Sequence, residues 1–180
     1  MTQSFRQSTL WTDSNTSLLK RNNPAAMRFN LKNYLDSQHI WVSKTGMGIG
    51  FGVNPDRGHL GQIDAALERL GQRRRITIFT RHYQMPALVA HKADLVATLP
   101  TRIAKLQQDH PQLVIKEPPF HIPAFELKMA WGPLLHHSPA HRWLRQLITF
   151  VARQIAEQEE RADAESGLAR RNARIRRIRE

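Results

Sequence analysis

Hydrophobic and polar positions follow two rhythms along this chain, one close to two residues and one close to four. Thr16–Lys20 (TSLLK) is a short strand by this measure, and His39–Ser43 (HIWVS) is a compact, β-rich run suited to a buried strand. Arg75–Thr80 sets Ile76 and Ile78 against Thr77 and Phe79. Leu95–Leu99 (LVATL) is a strand stopped by Pro100, and Leu113–Lys116 and Phe125–Trp131 complete the set. Helical spacing falls between them. Leu31–Leu35 follows Asn30, a good N-cap. Gly61–Leu70 places Ile63, Ala66, Leu67 and Leu70 on one face, with Gly71 as its stop. Tyr83–Ala90 and Thr101–Gln108 are shorter helices, the second with Ile103, Ala104 and Leu106 on its inner side. Ser138 at an N-cap and Pro139 at the first helical position open a long helix through Glu157 or beyond. Residues 1–15 show no period. Strands alternating with helices predict an α/β fold with a mainly parallel sheet.

Composition narrows the class. The 180 residues suffice for one domain with a core, and there are no cysteines, which removes disulfides, thiolate catalysis and Cys-based zinc sites. The absence of a long apolar run and of an apolar stretch near Met1 predicts no membrane span, no signal peptide and a cytoplasmic location. The net charge of +12 is uneven. It gathers at Arg73-Arg74-Arg75 and in the final GLARRNARIRRIRE. A basic accessory protein that holds nucleic acid non-specifically through this tail is therefore an alternative function, against the plainer picture of a solvated face.

The stretch SKTGMGIGFGV, Ser43–Val53, looks at first like a phosphate loop. The dinucleotide fingerprint fails, because Gly46 and Gly48 are followed by Phe51 where a third glycine belongs, and no Gly-Lys-Ser/Thr ends the loop. His137 and His141 are separated by Pro139 at a helix start, which spoils a metal pair. No Gly-x-Ser-x-Gly elbow occurs, and Asp64 and Glu68, four apart on a helix, suit a solvated face better than catalysis. No catalytic residue, metal site or cofactor is expected. Arg81–Val89 (RHYQMPALV) is more informative: a strand ends at Thr80, then Arg, His and Tyr precede a helix. Ligands of open α/β sheets bind beyond the carboxyl ends of strands.

Three stretches carry a resemblance to a known family. Asp64-Ala-Ala-Leu-Glu-Arg-Leu-Gly71, Arg73-Arg74-Arg75-Ile76 and Leu95-Val-Ala-Thr-Leu-Pro-Thr-Arg102 follow the HIWVS strand in order, and FELKMAW with Pro139-Ala-His-Arg-Trp-Leu-Arg145 follows later. In order and spacing these resemble the effector-binding region of LysR-type transcriptional regulators, in the branch of nodulation and aromatic-degradation regulators. The resemblance covers roughly residues 16–155. It implies a fold like the type 2 periplasmic binding proteins, two α/β lobes with a small effector in the cleft, here one complete lobe and a partial one. Residues 1–20 would be the end of the first lobe and a crossover strand, 21–122 the second lobe, 123–157 the return strand and C-terminal helix of the first lobe, and 158–180 a basic tail, helical or disordered.

The resemblance also implies site residues and partners. Ser43, Lys44 and Gly46, then Thr80, Arg81, His82 and Tyr83, then Pro100 and Thr101 would line or border the effector pocket. Lys44 and Arg81 suit a carboxylate and Tyr83 an aromatic ring. The family's helix-turn-helix is not in the sequence, so a truncated sensor without specific DNA binding of its own is expected, with weak or absent effector affinity. Expected protein partners are another copy or an intact family member; Gln62–Leu70 and Ile76–Phe79 lie where the family makes subunit contacts. A partial lobe would also leave apolar faces of the last strand and helix uncovered.

Overall fold

The structure, a computed structural model, describes residues 5–42 and 61–179, with side chains through 159 and at 161. In chain order the elements are β1 (Arg6–Asp13), β2 (Asn15–Lys20), α1 (Pro24–Met27), α2 (Leu31–Asp36), β3 (Gln38–Val42), α3 (Gln62–Arg69), β4 (Arg75–Thr80), α4 (Met85–Ala90), β5 (Leu95–Pro100), α5 (Thr101–Lys105), β6 (Leu113–Lys116), β7 (Phe125–Trp131) and α6 (Pro139–Arg179). They fall into two compact units. One runs from Asp13 to Phe125; the other joins the segment through Thr12 to the chain from Glu126 onward. Among the described residues no helix is long and apolar enough to cross a membrane.

The first unit is built on a five-stranded sheet in the order β4-β3-β5-β2-β6. A mainly parallel sheet is expected from the alternation of elements, but the sheet is mixed. β3 runs parallel to β4 and to β5, whereas β2 is antiparallel to both β5 and β6. The reason lies in connectivity. A helical crossover within one unit returns a strand parallel to its predecessor. β2 follows β1 after the single residue Ser14, so no crossover sets its direction.

Successive residues of a strand point to opposite faces, and β2 uses both. Leu18 joins Ile40, Ala97, Leu99, Leu113 and the α4 residues Ala87 and Ala90 on one face. Leu19 joins Val96, Tyr34, Ala25, Ala26 and the α3 residue Leu67 on the other. The unit is thus a sheet between two helical layers, and β5, buried along Leu95–Leu99, is its centre. Local caps agree with the sequence: the Asn30 side chain accepts from the Asn33 N–H at 2.9 Å, and the Asn23 side chain caps α1 through the Ala25 N–H at 2.8 Å.

Two predicted core residues are not core. Leu70 and Leu106 are 51% and 75% exposed, because each stands just past the last turn of its helix, where the inward face no longer meets the sheet. The stop at Gly71 takes the expected form, with φ of 66° and its N–H donating to the Glu68 carbonyl at 2.9 Å. A side chain at this left-handed position is strained although nothing crowds a Cβ there. Gly71→Ala is therefore expected to destabilise the protein by about 1 kcal/mol, checked by urea denaturation; an unchanged or higher midpoint refutes it.

The second unit pairs β1 with β7 in a two-stranded ribbon and adds α6. β1, which the sequence does not announce, alternates partly covered Ser8, Leu10 and Trp11 with exposed polar neighbours. Its Thr9 hydroxyl donates to the Glu126 carboxylate of β7 at 3.1 Å.

Candidate functional site

Parallel pairing brings three carboxyl ends to one edge of the five-stranded sheet. Val42 at the end of β3 stands opposite Thr80 at the end of β4, and Ile40 stands opposite Ala97, which aligns the end of β3 with the last residues of β5. From β3 the chain leaves for β4 on one side, while from β5 it leaves for β6 on the other. β3 and β5 are adjacent, so the crevice beyond their ends is the place where an open sheet of this kind takes a ligand.

The sequence-derived residues gather at this edge where the structure describes them. Thr80 ends β4, and its hydroxyl accepts from the His82 N–H at 3.1 Å. The His82 carbonyl then accepts from the Met85 N–H at 3.2 Å. This turn corrects the expected helix start: α4 begins at Met85 rather than Tyr83, with Pro86 in its first turn, where its missing N–H costs nothing. Arg81 and His82 are exposed. Tyr83 is partly buried, packed against the cluster that includes Val42 and Ile78, and this burial raises its hydroxyl pKa above the ordinary value. The phenol is therefore a neutral donor at physiological pH, set on an apolar bed two residues after the exposed Arg81.

Pro100 and Thr101 lie at the end of β5. The Thr101 N–H donates to the Ser14 carbonyl at 2.8 Å, and the hydroxyls of Ser14 and Thr101 are also 2.8 Å apart. The Arg102 N–H reaches the Asp13 carboxylate at 3.4 Å. The amino end of α5 is thus tied to the short link between β1 and β2. Ser43, Lys44 and Gly46, with the whole glycine-rich stretch, lie outside the described residues.

On the α2 and α3 side of the sheet, starting from the amino ends of β3 and β4, is a polar network that sequence reasoning missed. Arg74 is not part of a solvated arginine run. Its side chain is fully buried and grips Asp64 with two hydrogen bonds of 2.7 Å, from Nε and Nη2. Burial opposes the guanidinium's charge most strongly, but the Asp64 hydrogen bonds together with the interactions of Tyr34 and the Asp64 charge outweigh it and hold the pKa above the ordinary value. Asp64, expected on a solvated face, is instead the counter-ion. Next to the pair, the Tyr34 hydroxyl bonds Thr98 Oγ1 at 2.8 Å, and Thr98 Oγ1 meets Ser17 Oγ at 3.1 Å. His39 Nε2 lies 2.7 Å from the Tyr34 carbonyl, so that nitrogen carries the proton and donates. Burial first, and the nearby Arg74 charge second, lower the His39 pKa to about 4. A signal for the pair existed in Asp64 in the first turn of α3 and Arg74 just beyond its end, but nothing in the sequence separates Arg74 from its neighbours Arg73 and Arg75.

Comparison with known proteins places this architecture. Residues 51–152 match the family model described as the LysR substrate binding domain. The chain is 27% identical to the HTH-type transcriptional activator NagR of Ralstonia sp over 145 residues, 80% of this chain and 44% of that protein. It is 30% identical to the HTH-type transcriptional regulator SyrM of Rhizobium etli over the same length, 80% of this chain and 40% of that protein. It therefore spans under half the length of these curated relatives. Among solved structures, the regulatory domain of MexT, a transcriptional activator in Pseudomonas aeruginosa, superposes with a TM-score of 0.64 at 26% identity, over 81% of this chain and 67% of that one. The effector binding domain of QuiR in complex with shikimate shares the fold, with a TM-score of 0.61 at 13% identity over 83% of this chain and 66% of that one.

Proposed function

The chain belongs to the LysR substrate binding domain family, and from that premise we propose that the carboxyl edge of its five-stranded sheet is one wall of a small-molecule effector site. The observation that carries this is the convergence of Thr80, Arg81, His82, Tyr83, Pro100 and Thr101 at the shared ends of β4 and β5, beside the end of β3. Ser43, Lys44 and Gly46 follow β3 in the chain and belong to the same proposal. The protein acts as the sensing part of a cytoplasmic transcriptional regulator and not as an enzyme. Its ligand is a small aromatic or carboxylate-bearing molecule: Arg81 supplies a guanidinium for a carboxylate and Tyr83 a ring edge with a neutral hydroxyl donor. The shikimate held by QuiR, a fold relative, is a carboxylate of this size and supports the choice of class.

The test is binding of a panel of small carboxylates, shikimate and benzoates among them, by calorimetry to the complete regulator. Arg81→Ala and Tyr83→Ala are each expected to weaken the bound member about tenfold or more, Arg81→Ala with an unchanged melting temperature because Arg81 is exposed, and Tyr83→Ala with a lowered one because its ring packs against the core cluster. Full affinity in both variants would remove these residues from the site.

A further inference from the structure

α6 is one helix of 41 residues, Pro139–Arg179, and its chemistry changes along its length. Its first turns bring Arg145 and Ala152 inward and leave Trp143 and Phe150 exposed. An acidic stretch follows, with Glu157, Glu159, Glu160, Asp163 and Glu165 around Arg161. The last turns, residues 168–179, hold six arginines and no carboxylate. The family match ends at residue 152, which leaves these turns outside the substrate binding domain. A solvated helix gains when opposite charges stand three or four residues apart. Here the spacing does the reverse. Arg170, Arg171 and Arg174 have no carboxylate three or four residues away in either direction. Arg170 and Arg171 each stand at such a spacing from Arg174, and Arg174 from Arg177. Like charges so placed weaken a helix, and a polyanion laid along it removes the repulsion.

We infer that the last turns of α6 are a sequence-independent site for the phosphate backbone of duplex DNA. Arginine is the one basic residue type in this stretch, and its planar fork of donors pairs with phosphate oxygens two at a time. Twelve helical residues span about 18 Å, so their six charges approach the density of a polymer that carries one negative charge per about 1.7 Å. The major groove of B-form DNA, about 12 Å wide, admits an α-helix, whereas the deep, narrow major groove of A-form RNA does not take one. Single strands suit the stretch less, because it has no aromatic residue on which a base could stack. Membranes suit it less too: Leu168, Ile175 and Ile178 are its large apolar residues, too few for the buried face of a helix lying on lipid. Backbone contact of this kind holds the chain on DNA without reading an operator, and it does not depend on the effector edge.

The test is fluorescence anisotropy of a labelled DNA duplex of mixed sequence, titrated with the full chain from about 50 to 200 mM salt. Binding is expected at the low end, with log affinity falling against log salt at a slope of about −4 to −5. A duplex of unrelated sequence is held equally well. Arg170→Gln, Arg171→Gln and Arg174→Gln together weaken binding about tenfold or more at low salt and make the slope shallower by about 3. Their helical circular dichroism is unchanged, because glutamine is nearly as good a helix former as arginine. Deleting residues 168–180 weakens binding further, which reads the site without relying on the substituted helix. No binding at low salt, or a slope and affinity unmoved by both the triple substitution and the deletion, overturns the inference. So does equal affinity for an A-form RNA duplex or for vesicles of anionic phosphatidylglycerol, and so does a preference of about tenfold or more for one DNA sequence over another.

Discussion

Asp64→Ala is expected to destabilise the sheet unit by about 3–5 kcal/mol, the largest effect of any single truncation considered. The cost does not come from losing a favourable ion pair. Two charges this deep gain little over apolar residues of the same volume, since desolvation offsets their attraction. It comes from what remains: Arg74, its side chain fully buried, with two donors stripped of acceptors. Nη1 already has no partner among the described residues, so the variant would leave almost the whole guanidinium unsatisfied. The distinguishing experiment pairs Asp64→Ala with the double variant Asp64→Leu/Arg74→Met. Urea denaturation followed through Trp41, the one tryptophan in this unit, should show the double variant more stable than the single. A loss below about 1 kcal/mol for Asp64→Ala would mean that Arg74 finds water or another acceptor, and the network would not be the anchor described.

Acidification is expected to remove about 3 kcal/mol of stability through His39 alone. Its pKa is about 4 in the fold and 6.5 as a free side chain. Burial is the main cause; the Arg74 charge adds to it, while the hydrogen bond to the Tyr34 carbonyl and the Asp64 charge oppose it. The unfolded chain therefore binds this proton more readily than the fold does, and protonation favours unfolding. The stability tied to neutral His39 is complete above pH 6.5 and is lost as pH falls toward 4. Nδ1, the acceptor nitrogen, is buried with no partner, so a proton placed there has no hydrogen bond to receive it. His39→Gln keeps a donor that can reach the Tyr34 carbonyl and cannot titrate. The difference in unfolding free energy between wild type and this variant should shrink with falling pH across that window. A difference independent of pH would mean that His39 is charged or solvated in the fold.

Much of the fold is legible because local and tertiary preferences agree. Arg75–Thr80, Leu113–Lys116 and Phe125–Trp131 are strands with the bounds their residue patterns give, and Asn30 caps the helix it is expected to cap. What was not legible depends on partners far along the chain. β1 is rich in Gln, Ser and Thr and becomes a strand because β7, more than a hundred residues later, offers it a ladder. The direction of β2 is invisible in TSLLK, since antiparallel and parallel neighbours demand the same alternation. For the site, Thr80–Tyr83 and Pro100–Thr101 were legible as strand ends followed by polar turns. Arg74 was not, because an arginine among arginines carries no mark of burial. Nor was the orientation of α6 legible: its periodicity locates an apolar face but does not say what meets that face.

The antiparallel insertion of β2 also sets a schedule for the growing chain. β2 is made first of the five strands, yet its neighbours are β5 and β6, with Thr16 bonded to the Lys116 carbonyl and Leu19 opposite Val96 and Val114. At ribosomal speeds of about 5–20 residues per second, Leu18 and Leu19 wait roughly 5–20 seconds for the strands that cover them. β3, β4 and α4 can assemble earlier, but the sheet closes only when a segment synthesised near the start is drawn back between two synthesised much later. Such late closure gives the nascent polypeptide an interval in which a bare apolar strand is available to chaperones, and slows refolding compared with a sheet built strand by strand.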